Sequence, residues 1–314
     1  MSDEELGKKY RLVTRSDFDG LVCAVLLKEM DLIEEIKFVH PKDMQDGTIL
    51  VSKSDITTNL PYVKGVHLAF DHHLSETIRL EQCPPEYIID PEAPSAARVV
   101  YDYYGGKKEF QKVSDDLMDA VDKSDSAQFS KDEILNPKEW VLLNFLMDSR
   151  TGLGRFKDFE ISNYQLMMEL IDYCRDHTIV EILKLPHVAE RIDLYRDQQE
   201  KFKEQVQRCA TVHGNLVVLD LRGEETIFAG NRFMIYALFP EQNISIHVLP
   251  GLNNLNTVLA CGKSIINRSA NTNIGGLMLE YGGGGHLNAG TCQVDHEEAE
   301  KTLSQLVEKI TAEG

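Results

Sequence analysis

An apolar segment of this chain, Val66–Phe70, runs directly into an acid and two imidazoles, Asp71, His72 and His73. The segment predicts a β-strand, and carboxylate oxygens and imidazole nitrogens are ligands for divalent metal ions. In open α/β folds, ligands bind at the carboxyl ends of the strands, where these three side chains would stand. Taken alone, the triplet is better explained as a helix-capping aspartate followed by two surface histidines.

Acids follow two other apolar segments in the same way. Asp17 and Asp19 come after the segment YRLVT, in a loop that leads into a predicted helix, and Asp55 comes after the segment TILVS, a predicted strand. Capping explains one such aspartate, but it explains the recurrence poorly. Asp125 follows a later predicted helix. Because the carboxyl ends of parallel strands meet at one edge of a sheet, we expect these acids to converge there.

Together these positions amount to five carboxylates and two imidazoles, which would repel one another strongly in one crevice unless cations neutralised them. The mixed oxygen and nitrogen ligands suit Mn²⁺, with Mg²⁺, Fe²⁺ and Zn²⁺ as alternatives. Two such ions a few ångströms apart activate a water molecule and clamp both ends of an in-line displacement at phosphorus. The pattern therefore predicts a two-ion centre for phosphoryl transfer.

The glycine run 282–285, followed by His286, predicts an anion site. Glycines let backbone N–H groups approach an anion closely, and His286 adds a donor or a proton source. Arg268 lies just upstream, and its guanidinium suits a bidentate contact with phosphate. The plainer interpretation is a flexible turn, which fits poorly with four glycines that end in His between a predicted helix and a predicted strand.

Strands that alternate with helices indicate an α/β fold whose first domain has a parallel, doubly wound sheet. We expect this domain to span residues 1–185 and a charged connecting helix to span 186–210. A smaller α/β domain, with a predicted strand at ETIFA among others, should follow at 211–314.

The composition of the chain limits the kinds of molecule that it could bind. The 314 residues carry a net charge of −18 with a pI near 5.0 and no block rich in lysine and arginine, which excludes long double-stranded nucleic acid as a partner. No apolar run is long enough for a bilayer and the charged start is unlike a signal peptide, so we expect a cytoplasmic protein without a membrane partner. The six scattered cysteines indicate neither a zinc knuckle nor disulfides. A homodimer is one arrangement that the sequence allows.

Three motifs in this order, DFDG at 17–20, DHH at 71–73 and GGGGHxxAG at 282–290, resemble the DHH phosphoesterase superfamily in its branch with a DHHA1 domain. The likeness covers nearly the whole chain. It implies a DHH catalytic domain and a DHHA1 substrate-binding domain with the active site in the cleft between them. The implied activity is hydrolysis of a short phosphate ester or anhydride by metal-activated water. Short oligonucleotides, nucleoside bisphosphates, cyclic dinucleotide products and polyphosphate are the substrate classes.

Carried over by position, the resemblance also implies residue roles. The metal ligands would be Asp17, Asp19, Asp55, His72 and Asp125, with Asp55 bridging two ions. Asp71 would orient His72, and His73 would face the substrate. The contacts to a terminal phosphate would come from Arg268, Gly283, Gly284, Gly285 and His286.

One position departs from the family pattern. The family usually has a histidine two or four residues before the first aspartate, where this chain has Arg15 and Val13. An arginine stays protonated and cannot ligate a cation. The first ion would then bind only with substrate, or Arg15 would replace part of its charge on the phosphate. The alternative is a catalytically impaired sensor that binds a phosphate ligand, and a plain α/β structural protein with capping acids is a third interpretation.

Overall fold

The computed structural model describes residues 7–80 and 82–313, so the first six residues of the charged start lie outside the described residues. The strands are β1 (Tyr10–Arg15), β2 (Ile33–Val39), β3 (Asp55–Thr58), β4 (Leu68–Asp71), β5 (Tyr87–Ile89), β6 (Ala210–His213), β7 (Leu216–Asp220), β8 (Ile244–Pro250), β9 (Thr257–Lys263), β10 (Gly284–His286) and β11 (Ala289–Val294).

The helices are α1 (Phe18–Glu29), α2 (Pro41–Gln45), α3 (Leu74–Arg79), α4 (Ala96–Tyr103), α5 (Asp115–Asp125), α6 (Lys131–Leu135), α7 (Glu139–Met147), α8 (Asn163–Asp176), α9 (Ile179–Ile182), α10 (Pro186–Cys209), α11 (Met234–Leu238), α12 (Ile274–Leu279) and α13 (His296–Glu313). Short 3₁₀ helices cover Gly106–Lys108, Ser149–Thr151, Leu153–Arg155 and Leu252–Asn254. None of the helices in the described residues has the length and apolar character needed to cross a membrane.

The chain forms two compact units. The first contains the described residues up to Gln128, together with Lys138–Ser149 and Phe156–Ile192. The second contains Phe129–Pro137, Arg150–Arg155 and the described residues from Asp193 onward.

The first unit is built on a parallel sheet in the order β2-β1-β3-β4-β5. The chain moves outward from β1 in one direction to β2 and in the other direction to β3, so the strand order reverses between β1 and β3. In doubly wound sheets the crevice outside the carboxyl ends of such strands is the usual ligand site. The predicted α/β fold with a parallel sheet is confirmed.

Helix α1 lies at the centre of this unit. Its residues from Phe18 to Leu27 are all buried, and the helix contacts β1 together with α4, α5 and α8. A helix that is apolar nearly all round is expected to be enclosed in this way. The enclosure fixes the loop between β1 and α1, which carries Asp17 and Asp19.

The predicted strand at TILVS is wrong. Its Leu50 is 85% exposed, and the strand that pairs with β1 begins only at Asp55. All four residues of β3 are buried, two of them threonines, and the Thr58 hydroxyl donates to the Thr14 hydroxyl on β1 at 2.7 Å. Two buried threonines thus occupy a central strand, where the sequence pattern predicted apolar residues. Asp55 consequently stands at the amino end of β3, and Asn59 follows its carboxyl end.

The second unit has a mixed sheet in the order β10-β11-β9-β8-β7-β6, in which only β7 and β8 are parallel among the pairs described. Its core combines residues of the sheet with residues of α12 and α13, including Ile246, Leu259, Met278 and Leu306. The predicted strand at ETIFA is wrong. Gln205 on α10 donates to the Thr226 carbonyl and accepts from the Phe228 N–H, so a side chain satisfies the backbone where a neighbouring strand was expected.

Candidate metal centre

Three predicted ligands come together at the carboxyl edge of the first sheet. Potential ligand atoms of Asp19, His72 and Asp125 all lie within 4.8 Å of one another. His72 Nε2 is 2.9 Å from Asp125 Oδ2. Asp19 comes from the first turn of α1, His72 from the residue after β4, and Asp125 from the last position of α5. We refer to these three residues as the three-ligand cluster.

Asp19 is held by the first turn of α4. Its two carboxylate oxygens accept hydrogen bonds from the backbone N–H groups of Ala96 and Ala97, at 3.0 and 2.8 Å. These free N–H groups at a helix amino terminus favour a negative charge. Burial, followed by the charge of Asp125, nevertheless raises the pKa of Asp19 to about 8. The surroundings of Asp19 therefore stabilise either its protonated form or a carboxylate that is neutralised by a cation.

The ring of His72 is oriented for metal binding. Its Nδ1 lies 3.1 Å from the carbonyl oxygen of Ala93, and because a carbonyl only accepts, Nδ1 carries the proton in this contact. Nε2 is buried and lies 2.9 Å from Asp125 Oδ2. It is therefore the ring nitrogen that faces the carboxylates, and it would bind a metal ion once it has lost its proton.

The charged side chains of the cluster shift one another's pKa values. Burial lowers the pKa of His72, but the carboxylate of Asp125 outweighs burial and raises that pKa to about 10. Burial raises the pKa of Asp125, whereas His72, His73 and Arg15 together lower it below its ordinary value. Without a cation, the cluster therefore holds protons.

Asp71 holds His73 rather than the ring of His72. Asp71 Oδ1 accepts from His73 Nδ1 at 2.7 Å and from the backbone N–H of His72 at 2.8 Å. Its Oδ2 accepts from the Tyr87 hydroxyl at 2.9 Å. The expectation that Asp71 orients the His72 ring is thus corrected, because the carbonyl of Ala93 does so. The carboxylate of Asp71 is almost fully buried and organises the residues around it.

Asp17 lies beside this group but is engaged by other residues. Its Oδ2 is 2.9 Å from Arg15 Nε, and its Oδ1 accepts from the Gly20 N–H and from Asn59 Nδ2, both at 3.0 Å. Asn59 adopts a positive φ of 55° directly after β3. Asn59 is not among the residues predicted from the sequence; its signal there is an asparagine, a residue tolerant of positive φ, at the end of a β-branched run.

The structure does not bring Asp55 to the cluster. Asp55 pairs in register with Arg11, near the start of β1, and its Oδ1 lies 2.7 Å from Arg11 Nε. Its Oδ2 accepts from the backbone N–H of Ser52 at 2.5 Å. The displaced strand assignment explains this outcome, because the amino and carboxyl ends of a parallel strand lie at opposite edges of the sheet.

Asp122 lies three residues before Asp125 on α5 and contacts a different partner. Arg98 donates to its carboxylate from Nε and Nη2, and Ser95 adds a third hydrogen bond. The side chain is therefore occupied by a guanidinium, whereas Asp125 stands next to His72.

The glycine run packs as part of a hairpin. A Cβ on Gly283 would lie 2.2 Å from the carbonyl oxygen of Thr291, and one on Gly285 would lie 2.3 Å from that of Ala289. These glycines are needed for the close approach of β10 to β11. His286 and Arg268 are exposed, and Arg268 Nε donates to the Ile265 carbonyl at 3.1 Å. Phosphate binding by these residues stays a prediction.

Comparison with solved structures identifies the relatives of this chain. It is 59% identical to a pGpG-specific phosphodiesterase, PggH from Vibrio cholerae, with a TM-score of 0.85 over 98% of this chain and 100% of that chain. The chain belongs to the DHH/DHHA1 phosphoesterase family. The predicted family, the predicted fold and the prediction of a phosphoesterase are thereby confirmed.

Two distant structures share the fold of this DHH/DHHA1 phosphoesterase. RecJ from Thermus thermophilus, solved in complex with Mn²⁺, is 14% identical with a TM-score of 0.55 over 99% of this chain and 53% of RecJ. CDC45 from Entamoeba histolytica is 10% identical with a TM-score of 0.52 over 99% of this chain and 97% of that chain. Neither a scan of protein-family models nor a search of curated proteins gives a match.

The three-ligand cluster of this DHH/DHHA1 phosphoesterase fits one divalent cation. It offers two carboxylates and one imidazole, and the buried Nε2 of His72 faces Asp125, whereas Nδ1 faces the Ala93 carbonyl. Such a donor set suits Mn²⁺, Mg²⁺, Fe²⁺ or Zn²⁺. The residues that would hold the cation are Asp19, His72 and Asp125.

A second ion fits less well in this DHH/DHHA1 phosphoesterase. It would have to share Asp17 with the guanidinium of Arg15. Two unit charges about 4 Å apart at an effective dielectric of about 20 interact by about 4 kcal/mol, and a divalent ion doubles that repulsion. Among the residues that the structure describes, no second group of three candidate ligands exists.

Proposed function

We propose that this phosphoesterase hydrolyses pGpG, a guanine dinucleotide with a 5′ phosphate. The observation that carries the proposal is the 59% identity, over nearly the full length of both chains, to a pGpG-specific phosphodiesterase. The net charge of −18 supports a short substrate, because an acidic chain repels long polyanions.

The proposed reaction breaks the internal phosphodiester. The oxygen of a water molecule bonds to the internal phosphorus, and the bond from phosphorus to the 3′ oxygen of the first nucleoside breaks. The 3′ oxygen takes a proton from a general acid, one proton of the water restores that acid, and the other proton is released. The products are two molecules of GMP.

Residues of the first unit are proposed to bind the cation and to donate the proton. Asp19, His72 and Asp125 would hold a divalent cation, for which we propose Mn²⁺. When bound, such a cation stabilises charge on the phosphoryl oxygens and lowers the pKa of water. We assign Nε2 of His73 to donate the proton to the leaving 3′ oxygen. Burial lowers the pKa of His73, but Asp71 outweighs burial and raises it, which favours the protonated ring.

Contacts to the 5′ phosphate of pGpG complete the proposal. Arg268, Gly283, Gly284, Gly285 and His286 are the residues proposed for them. The chemistry supports this assignment, because a guanidinium and closely spaced backbone N–H groups are phosphate ligands.

The test uses the purified full-length chain with Mn²⁺ and a panel of pGpG, pApA, adenosine 3′,5′-bisphosphate and polyphosphate, with products separated by chromatography. We expect GMP from pGpG, formed at least about tenfold faster than any product from the other substrates. No GMP from pGpG, or a faster reaction with polyphosphate, would overturn the proposal. An intact, metal-loaded protein without any turnover would favour a sensor of phosphate ligands.

Two ligand variants and one matched control locate the reaction. Substituting a residue that only supports a metal ligand typically costs about 10- to 100-fold in activity. Because His72 and Asp125 are themselves the proposed ligands, His72→Ala and Asp125→Asn should each lower kcat/KM by more than about 100-fold. Asp119→Asn removes the same charge from an exposed position on α5 and should leave kcat/KM unchanged. Equal losses in all three variants would mean that the cluster has no special role.

A further inference from the structure

We propose that this centre binds a single divalent ion, at the three-ligand cluster, and that the guanidinium of Arg15 takes the place of a second ion against a phosphate of the substrate. The claim about the number of ions concerns the protein and the metal ion in the absence of substrate. The second part rests on the proposed function, since it assigns Arg15 to a phosphate of pGpG.

The first argument is the occupancy of Asp17. Both of its oxygens are engaged, Oδ2 by Arg15 Nε and Oδ1 by the Gly20 N–H and Asn59 Nδ2. The corresponding donors to Asp19 are two neutral backbone N–H groups, which leave its charge uncompensated. Asp17 is instead paired with a permanent cation, so its carboxylate has little to gain from a metal ion.

The second argument is the residue at the carboxyl end of β3. A carboxylate there would stand beside Asp17 and serve a second ion, but the residue is Asn59, which is neutral and 1% exposed. Its amide nitrogen faces Asp17 Oδ1 at 3.0 Å, so it presents a hydrogen-bond donor on the side where a bridging acid would be needed. Asp55, the acid that the sequence suggested for this place, is bound to Arg11 at the opposite edge.

The third argument is the position of Arg15 itself. It is the last residue of β1, and its side chain is 34% exposed. Arg15 contacts Asp17 through Nε, at 2.9 Å from Oδ2. A guanidinium also carries terminal N–H groups, which bind phosphate oxygens in a bidentate manner.

The decisive measurement counts ions without substrate. The full-length protein is dialysed against Mn²⁺, the bound metal is measured by mass spectrometry, and electron paramagnetic resonance distinguishes isolated ions from coupled pairs. We expect one Mn²⁺ per chain and the spectrum of isolated ions. Two Mn²⁺ per chain with a coupled spectrum would overturn the proposal, whichever substrate the protein hydrolyses.

Variants test the two residues that exclude the second ion. The double substitution Arg15→His with Asn59→Asp supplies an imidazole and a carboxylate next to Asp17, and it should raise the count from one to two Mn²⁺ per chain. Circular dichroism and thermal unfolding establish that the variant is folded. A folded double variant that still binds one ion would contradict the assignment of Arg15 to the second position.

The phosphate contact has a separate test. Arg15→Ala should lower kcat/KM for pGpG by about 100-fold, as loss of a donor to developing charge does, while the count stays at one Mn²⁺. Arg11→Ala is the matched control, since it removes an arginine paired with an aspartate at the other end of β1, and it should leave kcat/KM unchanged. An unchanged kcat/KM in Arg15→Ala would overturn the contact. If the wild type does not hydrolyse pGpG, the proposed function fails, and the affinity for inorganic phosphate then decides the contact in the same two variants.

Discussion

The hydroxyl of Tyr87 donates a hydrogen bond of 2.9 Å to Oδ2 of Asp71, on the far side of the carboxylate from His73. Both residues are buried, and Tyr87 belongs to the strand next to the one that ends at Asp71. A buried carboxylate needs several donors to stay charged. Tyr87 therefore stabilises the charge that fixes the ring of His73.

Replacing this tyrosine tests that support. Because hydrogen bonds to charged groups contribute about 1.5–3 kcal/mol, Tyr87→Phe should lower the free energy of unfolding by about 2 kcal/mol. Asp71 keeps its bond to the His73 ring, so kcat should fall by less than about tenfold. Urea unfolding and steady-state kinetics measure the two effects. Tyr62→Phe, which removes a bond to the more exposed Glu86, is the control, and an equal loss of stability in both variants would contradict the expectation.

Asp55→Asn tests whether Asp55 is a metal ligand, as the sequence resemblance implies, or a structural partner of Arg11, as its position indicates. The structure places Asp55 against Arg11 and Ser52, so the substitution should lower the free energy of unfolding by about 1–3 kcal/mol. The Mn²⁺ affinity should stay within about twofold of the wild type, the range of changes remote from a site. Urea unfolding and metal titration distinguish these results. Loss of bound metal at unchanged stability would instead restore Asp55 as a ligand.

The raised pKa values of Asp19 and His72 predict how pH affects the metal-free protein. Burial and Asp125 raise the pKa of Asp19 from 3.8 to about 8, and Asp125, against burial, raises that of His72 from 6.5 to about 10. The folded state thus keeps protons that the unfolded chain releases at lower pH. Stability contributed by these groups is complete at low pH, and it is lost between about pH 4 and 8 through Asp19 and between about pH 6.5 and 10 through His72.

A bound cation takes the place of these protons, so metal affinity should rise with pH. We expect the increase in melting temperature on adding Mn²⁺ to grow between about pH 6 and pH 8. Thermal unfolding with and without Mn²⁺ measures it, with His72→Ala as the control that should show little increase at any pH. A metal-induced increase that shrinks as pH rises would show that the three-ligand cluster is not the binding site.

Neighbouring glycines in the run 282–285 separate packing from phosphate binding. A methyl group on Gly285 would meet the Ala289 carbonyl at 2.3 Å, whereas one on Gly284 meets nothing closer than a Leu279 side-chain carbon at 3.9 Å. Gly285→Ala should therefore lower the free energy of unfolding by about 1–3 kcal/mol, as overpacking does, and Gly284→Ala should be tolerated. Thermal unfolding tests both. A raised KM for pGpG in a fully stable Gly284→Ala would support phosphate binding by the run, and equal stability of both variants would contradict the packing.

The sequence was enough to predict the sheet, its parallel direction and the edge where ligand residues gather. These follow from apolar segments that alternate with helices, and Asp19, His72 and Asp125 meet because each stands at the end of such an element. The sequence did not reveal that Phe129–Pro137 and Arg150–Arg155 belong with the second unit, because membership depends on packing between distant segments.

What sequence could not predict is the register of one strand. The apolar segment TILVS led to the wrong assignment, because the buried strand is Asp55–Thr58, where the Thr58 hydroxyl is hydrogen-bonded across the sheet to Thr14. Because the strand lies a few residues later than predicted, Asn59 and not Asp55 stands at the carboxyl edge of the sheet. The partner of the His72 ring was equally hidden, because the carbonyl of Ala93 carries no side-chain signal in the sequence.

The last ligand of the cluster ends α5, after the whole parallel sheet has been made, and this has a consequence for the protein during its synthesis. A nascent chain that has emerged only as far as β5 has Asp19 and His72 but lacks the third group that closes the cage. Metal binding by the three proposed ligands would therefore have to wait until residue 125 has left the ribosome. Premature termination anywhere before that point should yield fragments that neither bind a divalent ion at this cluster nor hydrolyse a phosphate ester.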